Sequence, residues 1–361
     1  MQYHIVLTER CNLSCTYCGG TRHLPDLPLD RTYDVSKLRD FIGKDPDPVI
    51  GFYGGEPLLA MDLLEEIMDG IPARAFNLQT NGTGLSSLKD GYLDRLDSIL
   101  VSLDGGREIT DRRRGEGTFD LVMENLRDIR RRGYEGDLIA RMAVSKDADI
   151  HRDVTYLMNS EDPRFDHVHW QLDVFWSDLD SWEGLEGWLR RYEEGISKLL
   201  RDFSDSLCEG IVPGMVPFIP VLDTLISGEP VPHIRCGAGM DSFAVMTSGK
   251  IEACPVAPEL LYSNVGDVRT STPQGIENSV DLVDPCPDCD IRWVCGGRCL
   301  YANRTQGWGR DWYDRICSTT RHMISELEKI VPLARDLVDK GVLSEDAFRY
   351  PTMNNGCEII P

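Results

Sequence analysis

The chain has no run of eighteen consecutive apolar residues, so no segment of it reads as a membrane-spanning helix. Its most apolar loop, Gly210 to Ile226, is broken by three prolines. The start lacks the basic-then-apolar pattern of a secretory segment, and a cytoplasmic setting is the default expectation. Positive charge is scarce. Lys plus Arg total 38 against 60 Asp plus Glu, a formal net charge of −22. Such a surface repels phosphate backbones, so no nucleic-acid partner and no membrane are expected, the short run Arg130-Arg131-Arg132 notwithstanding. A solvated acidic face, a basic peptide partner or a salty cytosol all suit this charge. Cysteine is the exception to these scarcities. Twelve cysteines in a chain with no secretion signal read as metal ligands rather than disulfides. A length of 361 residues with 41% apolar content suits one large barrel and a smaller domain.

The organising stretch is Cys11-Asn-Leu-Ser-Cys15-Thr-Tyr-Cys18, which follows the apolar run His4 to Leu7. That run reads as a first strand and the cysteines as its loop. Three soft thiolates on one loop suit an iron–sulfur cluster. Three cysteines on four irons leave one iron for a non-protein ligand. A zinc site or three unrelated thiols are the rival readings of the triplet alone. Three further motifs follow in order: Gly54-Gly55-Glu56-Pro57, Gln79-Thr80-Asn81-Gly82-Thr83 and Ser102-Leu103-Asp104-Gly105. Each closes an apolar run, so each is expected at a strand end.

With these residues in this order, the chain resembles the radical S-adenosylmethionine (SAM) superfamily. The CX3CXφC triplet with Tyr17 as its aromatic, the GGEP motif and the SLDG strand end all match. The alternation agrees with the resemblance. Apolar runs near 4–7, 49–53, 75–79, 98–103, 138–144 and 167–174 are separated by amphipathic stretches such as Met61 to Met68 and Phe119 to Arg131. Strand–helix alternation implies a parallel sheet under helices. The resemblance specifies a partial (β/α)6 TIM barrel, whose function sits at the C-terminal ends of its strands.

The resemblance also assigns roles. Cys11, Cys15 and Cys18 would hold a [4Fe-4S] cluster whose open iron takes the amino and carboxylate groups of SAM. Gly54, Gly55, Glu56 and Pro57 would lie against the methionine amino group, with Tyr17, Thr80 and Asn81 on the same rim. Glu56 has a competing role as a cap for the helix starting near Leu58. Ser102 and Asp104 suit the ribose hydroxyls, although Asp104 also fits an Asx turn with Gly105. Arg141 is a candidate for the SAM carboxylate, because guanidinium pairs bidentately with it. A surface salt bridge is its alternative. Gln171 and Asp173 face the pocket or are simply buried. Candidates for an acid or base are Asp173, Tyr53 and Tyr301.

After a long amphipathic stretch from Trp182 to Phe203, the proline-rich segment Val212 to Pro232 breaks regularity. The expected division is a barrel over 1–205, a bridge over 206–235, a second domain over 236–320, and a C-terminal helix and tail over 321–361. The second domain carries Cys236, Gly249 and Cys254, then Cys286, Cys289, Cys295, Cys299 and Cys317. Ser248-Gly249 reads as a hairpin turn. This CX12GX4C–CX2CX5CX3C–C pattern resembles the SPASM domain of radical SAM enzymes, which carries two auxiliary [4Fe-4S] clusters. A pair of zinc knuckles is the rival reading. By that resemblance Cys286, Cys289, Cys295 and Cys317 hold an outer cluster, and Cys236, Cys254 and Cys299 an inner one. The inner cluster's fourth ligand is open: Cys208, Cys357 or a substrate thiolate. Pro255 follows Cys254 where sulfatase-maturing relatives carry an acid, which weakens that reading. His233 before Cys236 reads as structural. A helix is expected from about Thr319 to Val338, with an irregular tail from Ser344 that covers the barrel mouth.

The resemblance as a whole implies a radical SAM enzyme with three [4Fe-4S] clusters and SAM. Its expected work is modifying a ribosomally made peptide through a thioether or carbon–carbon crosslink, fed by an electron donor such as ferredoxin or flavodoxin. With the barrel starting at residue 2, a leader peptide is expected to dock on the barrel–SPASM surface or on a separate partner. A small metabolite or cofactor precursor as substrate, and a non-catalytic metal scaffold, are the alternatives.

Overall fold

The computed structural model describes residues 1–18, 27–173, 182–258, 260–354 and 360–361. Six strands run parallel in sequence order: β1 (Gln2–Val6), β2 (Val49–Tyr53), β3 (Ala75–Thr80), β4 (Ser98–Ser102), β5 (Asp137–Val144) and β6 (His167–Leu172). They read as near-continuous apolar runs because helices cover the sheet and both faces are buried. β4, for example, is buried at four of its five positions. The helix Thr118–Arg131 shows how the cover is made. Phe119, Val122, Met123, Leu126 and Ile129 recur at helical spacing and are buried, while arginines occupy its last turn.

The sheet does not stop at β1. A seventh strand, β7 (Ser242–Val245), pairs with β1 in parallel, and β8 (Lys250–Glu252) and β9 (Asn264–Asp267) continue antiparallel. The order among the described residues is β6-β5-β4-β3-β2-β1-β7-β8-β9, an open sheet. The Ser248-Gly249 turn joins β7 to β8 as expected, with Gly249 at φ +87° where only glycine is unstrained. The second half therefore shares the barrel's sheet instead of standing apart from residue 236. It shares the core too, since one apolar cluster runs from Tyr3 and Ile5 through to Val294, Cys295 and Ile316. The free edge of β1 is what a local reading cannot see: nothing near residue 3 announces a partner about 240 residues away.

Other boundaries shift. The long helix spans Leu185–Cys208. The bridge holds a helix, Ile219–Ser227, whose Pro220 sits in the first turn where its missing N–H costs nothing. The single C-terminal helix is two, Gly309–Glu328 and Val331–Asp339, with Pro332 starting the second. As far as Asn354 the tail does not cover the mouth, while its last residue, Pro361, accepts from Arg298 Nε at 2.7 Å. Asn354 Nδ2 donates to Asp137 Oδ2 at 3.1 Å, Ser98 Oγ donates to the Asn354 carbonyl at 2.7 Å, and Tyr350 packs edge-on against His167. Those residues open β4, β5 and β6, so the tail seals the N-terminal ends of the strands. No helix among the described residues is long and apolar enough to cross a membrane.

Candidate active site and metal centres

The C-terminal ends of β1 to β5 carry the first site. β1 leads into the cysteine loop, and the two glycines after β2 fasten that loop to the sheet. Gly55 N–H donates to the Thr8 carbonyl at 2.8 Å and Glu56 N–H to the Arg10 carbonyl at 2.7 Å. An added Cβ on Gly54 would sit on the Thr8 oxygen and one on Gly55 on the Arg10 oxygen. Gly54 is also at φ +144°. This close approach of two backbones is what glycine permits. Glu56 is 1% exposed. Its carboxylate accepts from Leu58 N–H at 3.0 Å, Thr80 Oγ1 at 2.7 Å and Asn81 N–H at 2.7 Å. Burial pushes its carboxyl up, and those donors pull it back. Glu56 thus caps the turn at Pro57–Ala60 and pins it to β3, which leaves both Glu56 and Thr80 fully used. Pro57 is buried in that turn. The Asn81 side chain reaches Asn12 Oδ1 at 2.8 Å and lies 3.9 Å from Cys11 Sγ.

Asp104 is 1% exposed and is met by four donor groups. Tyr17 Oη donates to both its oxygens (2.8 and 3.1 Å), Arg114 makes a fork (2.8 and 3.0 Å) and Ala143 N–H donates at 3.0 Å. The Arg114 guanidinium lies 5.4 Å from the Tyr17 ring centre. Asp104 is therefore the anchor that ties the cysteine loop to β4 and β5. Burial raises the Cys15 thiol to about 11, against the pull of Arg114. Arg113 braces the same loop: its carbonyl accepts from Thr16 N–H at 2.9 Å, and its guanidinium pairs with Asp147. Neither arginine was singled out by sequence, because Arg112-Arg113-Arg114 looks like a solvated run. The available signal was spacing. Arg113 and Arg114 stand one turn from the buried Ile109 and Thr110.

Arg141 is buried on β5, opposite Ser102 of β4, which is half-buried. Its guanidinium meets Gln171, while Nε and Nη1 are buried with no hydrogen-bond partner among the described residues. That is not a surface salt bridge. Asp173, just past β6, is raised to about 7 by burial, with Arg113 opposing and Asp104 adding to the shift. Tyr53 closes β2 beside the His4 ring. Tyr301 lies far along the chain, packed with Cys286, Cys299 and Tyr313.

The second half builds two more groups of thiols. Cys286, Cys289, Cys295 and Cys317, the four expected together, line one cavity of about 610 Å³. Thr320 lines it as well, its buried hydroxyl without a partner among the described residues. Cys236 and Cys254 pack in a separate small cluster with Ile234, Ala253 and Leu300. Tyr262 joins that cluster. Its phenol is raised by burial and then by Cys254 and Cys299, while Cys299 itself packs with Cys286, Ala302 and Tyr313. Tyr262 Oη is buried with no partner among the described residues. Cys208 does not join them. It ends the helix Leu185–Cys208 exposed, and the chain soon runs on to Gly214, which lies against Asp166 at the N-terminal end of β6. Cys357 lies outside the described residues. His233 hydrogen-bonds the Ile234 carbonyl at 2.8 Å and faces Asp241, a structural pairing. Among the described residues, no group of three or more Cys, His, Asp or Glu closes on a single metal ion.

An open sheet whose six sequential parallel strands carry a three-thiol loop and a buried cation near their C-terminal ends is the frame of this first site. Comparison with known proteins narrows this. Residues 5–156 match the radical SAM superfamily model. That stretch, less than half of the chain, is a radical SAM domain, and the domain implies an enzyme with a [4Fe-4S] cluster and SAM. Among curated relatives, a probable GTP 3',8-cyclase of Methanocella arvoryzae is 35% identical over 129 residues, 34% of this chain and 41% of that protein. A GTP 3',8-cyclase of Corynebacterium glutamicum is 36% identical over 126 residues, 30% of this chain and 33% of that protein. The chain thus spans less than half the length of either. Among solved structures, anSMEcpe with bound AdoMet and Cp18Cys peptide superposes with a TM-score of 0.71 at 18% identity, over 94% of this chain and 99% of that one. Streptococcus suis SuiB bound to precursor peptide SuiA gives 0.50 at 13% identity, over 83% and 72%. At these identities the likeness shows the fold, here extending through the second half.

Proposed function

We propose that this enzyme cleaves SAM reductively and uses the product to modify a peptide, with Cys11, Cys15 and Cys18 holding the cluster that SAM binds. When bound, the cluster and SAM supply a one-electron cleavage to methionine and a 5′-deoxyadenosyl radical that abstracts hydrogen from an unactivated carbon. The chain's own residues aim that chemistry. Asp104, Tyr17 and Arg114 fix the thiol loop. Arg141 takes the SAM carboxylate, and Ser102, its neighbour across the strands, takes the ribose. The observation that carries this reading is Arg141. A buried guanidinium with two unanswered N–H groups is costly unless an anion meets it. A carboxylate on the same rim as three thiols answers it.

Two auxiliary clusters in the second half complete the proposal. The Cys286, Cys289, Cys295 and Cys317 set fits one cavity, and the unpartnered Thr320 hydroxyl fits an occupied one. A cavity of about 610 Å³ shared by four thiols suits a multi-iron centre. For the inner site Cys236, Cys254 and Cys299 leave one iron to a fourth ligand, Cys357 or a substrate thiolate. A peptide substrate draws support from the peptide-bound structures that share this fold. An electron donor such as ferredoxin or flavodoxin would feed the first cluster. A small-molecule substrate is the second reading, favoured by the relatives named GTP 3',8-cyclase over the first third of the chain.

The test is anaerobic reconstitution, with iron and sulfide counted and SAM cleavage by dithionite measured in the same sample. About twelve irons per chain and 5′-deoxyadenosine are expected, with about eight irons and no cleavage in the Cys11/Cys15/Cys18→Ala variant. Offering short peptides and GTP in parallel separates the two substrate readings. Stoichiometric zinc, or a fully loaded protein that cleaves no SAM, would leave a binding scaffold.

A further inference from the structure

Each thiol of the outer cavity meets a hydrogen-bonding or positively charged group. Tyr313 Oη lies 3.2 Å from Cys286 Sγ. The Arg298 backbone N–H donates to Cys295 Sγ at 3.3 Å. The Arg298 guanidinium opposes the burial that pushes the Cys317 thiol to about 12. Arg321 Nη2 donates to Cys289 Sγ at 3.1 Å. The last contact differs in kind, because a full positive charge is delivered to one sulfur through a hydrogen bond. Asp290 aims it, accepting from Nη2 at 2.6 Å and from Nη1 at 3.0 Å. The helix Gly309–Glu328 supplies Cys317, Thr320 and Arg321 at i, i+3 and i+4, so one helical face presents a thiol, an unpartnered hydroxyl and a cation to the same cavity.

We propose that Arg321 sets the reduction potential of the outer cluster, an inference that rests on the reading of Cys286, Cys289, Cys295 and Cys317 as its ligands. Reduction adds one negative charge to a cluster. A cation that hydrogen-bonds a ligand sulfur stabilises the reduced state more than the oxidised one, and so raises the potential. The neighbouring Asp290 charge offsets part of that effect, but it also holds the guanidinium in place on the sulfur.

The test is a redox titration of the reconstituted enzyme followed by electron paramagnetic resonance, comparing wild type with Arg321→Gln and Arg321→Lys. Arg321→Gln is expected to lower one midpoint by about tenfold in the reduction equilibrium, which is about 59 mV for a one-electron couple. The other midpoints and the iron content stay as in wild type. Arg321→Lys keeps the charge without the fork and falls between the two. Unchanged midpoints at full iron content overturn the proposal. A wild-type chain that holds zinc, or that keeps its iron when Cys289 is replaced by Ala, overturns the ligand assignment instead, and is seen before any titration.

Discussion

Replacing Arg114 with Met tests the anchor of the cysteine loop. The Arg114 and Asp104 side chains are 7% and 0% exposed. Methionine fills much of the space but leaves a buried carboxylate with only Tyr17 and the Ala143 N–H as donors. Breaking a buried pair from one side costs about 3–5 kcal/mol. For a chain of this size, that is a fall of roughly 4–7 °C in melting temperature. The double variant Asp104→Asn with Arg114→Met keeps an acceptor for Tyr17 and Ala143 without the buried charge, and most of the loss returns. The assay is anaerobic thermal unfolding by circular dichroism, with iron release to a chelator timed on the reconstituted protein. In the single variant the first four irons should leave faster while the other eight stay. A single variant within about 1 kcal/mol of wild type, or a double variant no more stable than the single, would refute the argument that this pair is a buried, mutually dependent anchor.

Arg141→Gln removes a charge-assisted contact and should weaken SAM binding about ten- to a hundredfold without changing the iron count, checked by equilibrium dialysis. Affinity within threefold of wild type would count against Arg141 as the carboxylate partner. Asp173, raised to about 7 from an ordinary 3.8, keeps its proton in the folded chain after the unfolded chain has lost it. Its contribution is full below about pH 4 and is lost as pH rises to 7, on the order of 4 kcal/mol, and Asp173→Asn should flatten that slope in urea titrations of the metal-free chain. Gly55→Ala places a methyl on the Arg10 carbonyl. It should lower both the melting temperature and the iron held by the first site, whereas an unchanged iron count would show that the loop gives way freely.

Glu56 and Asp104 show where residue patterns stop being informative. A carboxylate after two glycines, or at a strand end, looks available to a ligand. In the fold each is engaged by residues distant in sequence, Thr80 and Asn81 for Glu56, and Tyr17, Arg114 and Ala143 for Asp104. Arg141 is the opposite case: among the described residues it makes no salt bridge, and two of its guanidinium nitrogens are buried without a partner. Hydrogen-bond saturation is a three-dimensional sum, and one chain segment holds only part of it.

The sequence by itself determined the six parallel strands, their covering helices and the placing of each motif at a strand end. These follow from local properties, namely apolar periodicity and glycine punctuation, which need no distant partner, whereas the grouping of Cys286, Cys289, Cys295 and Cys317 came from the family resemblance. Only the tertiary structure decided that β7 extends the barrel sheet through β1, that Arg113 and Arg114 brace the cysteine loop, that Arg321 reaches Cys289, and that the tail seals the strands' N-terminal ends. Each of these joins residues dozens to hundreds of positions apart. What selects them is the burial of a particular edge, charge or sulfur, a quantity that exists only once the chain has closed around it.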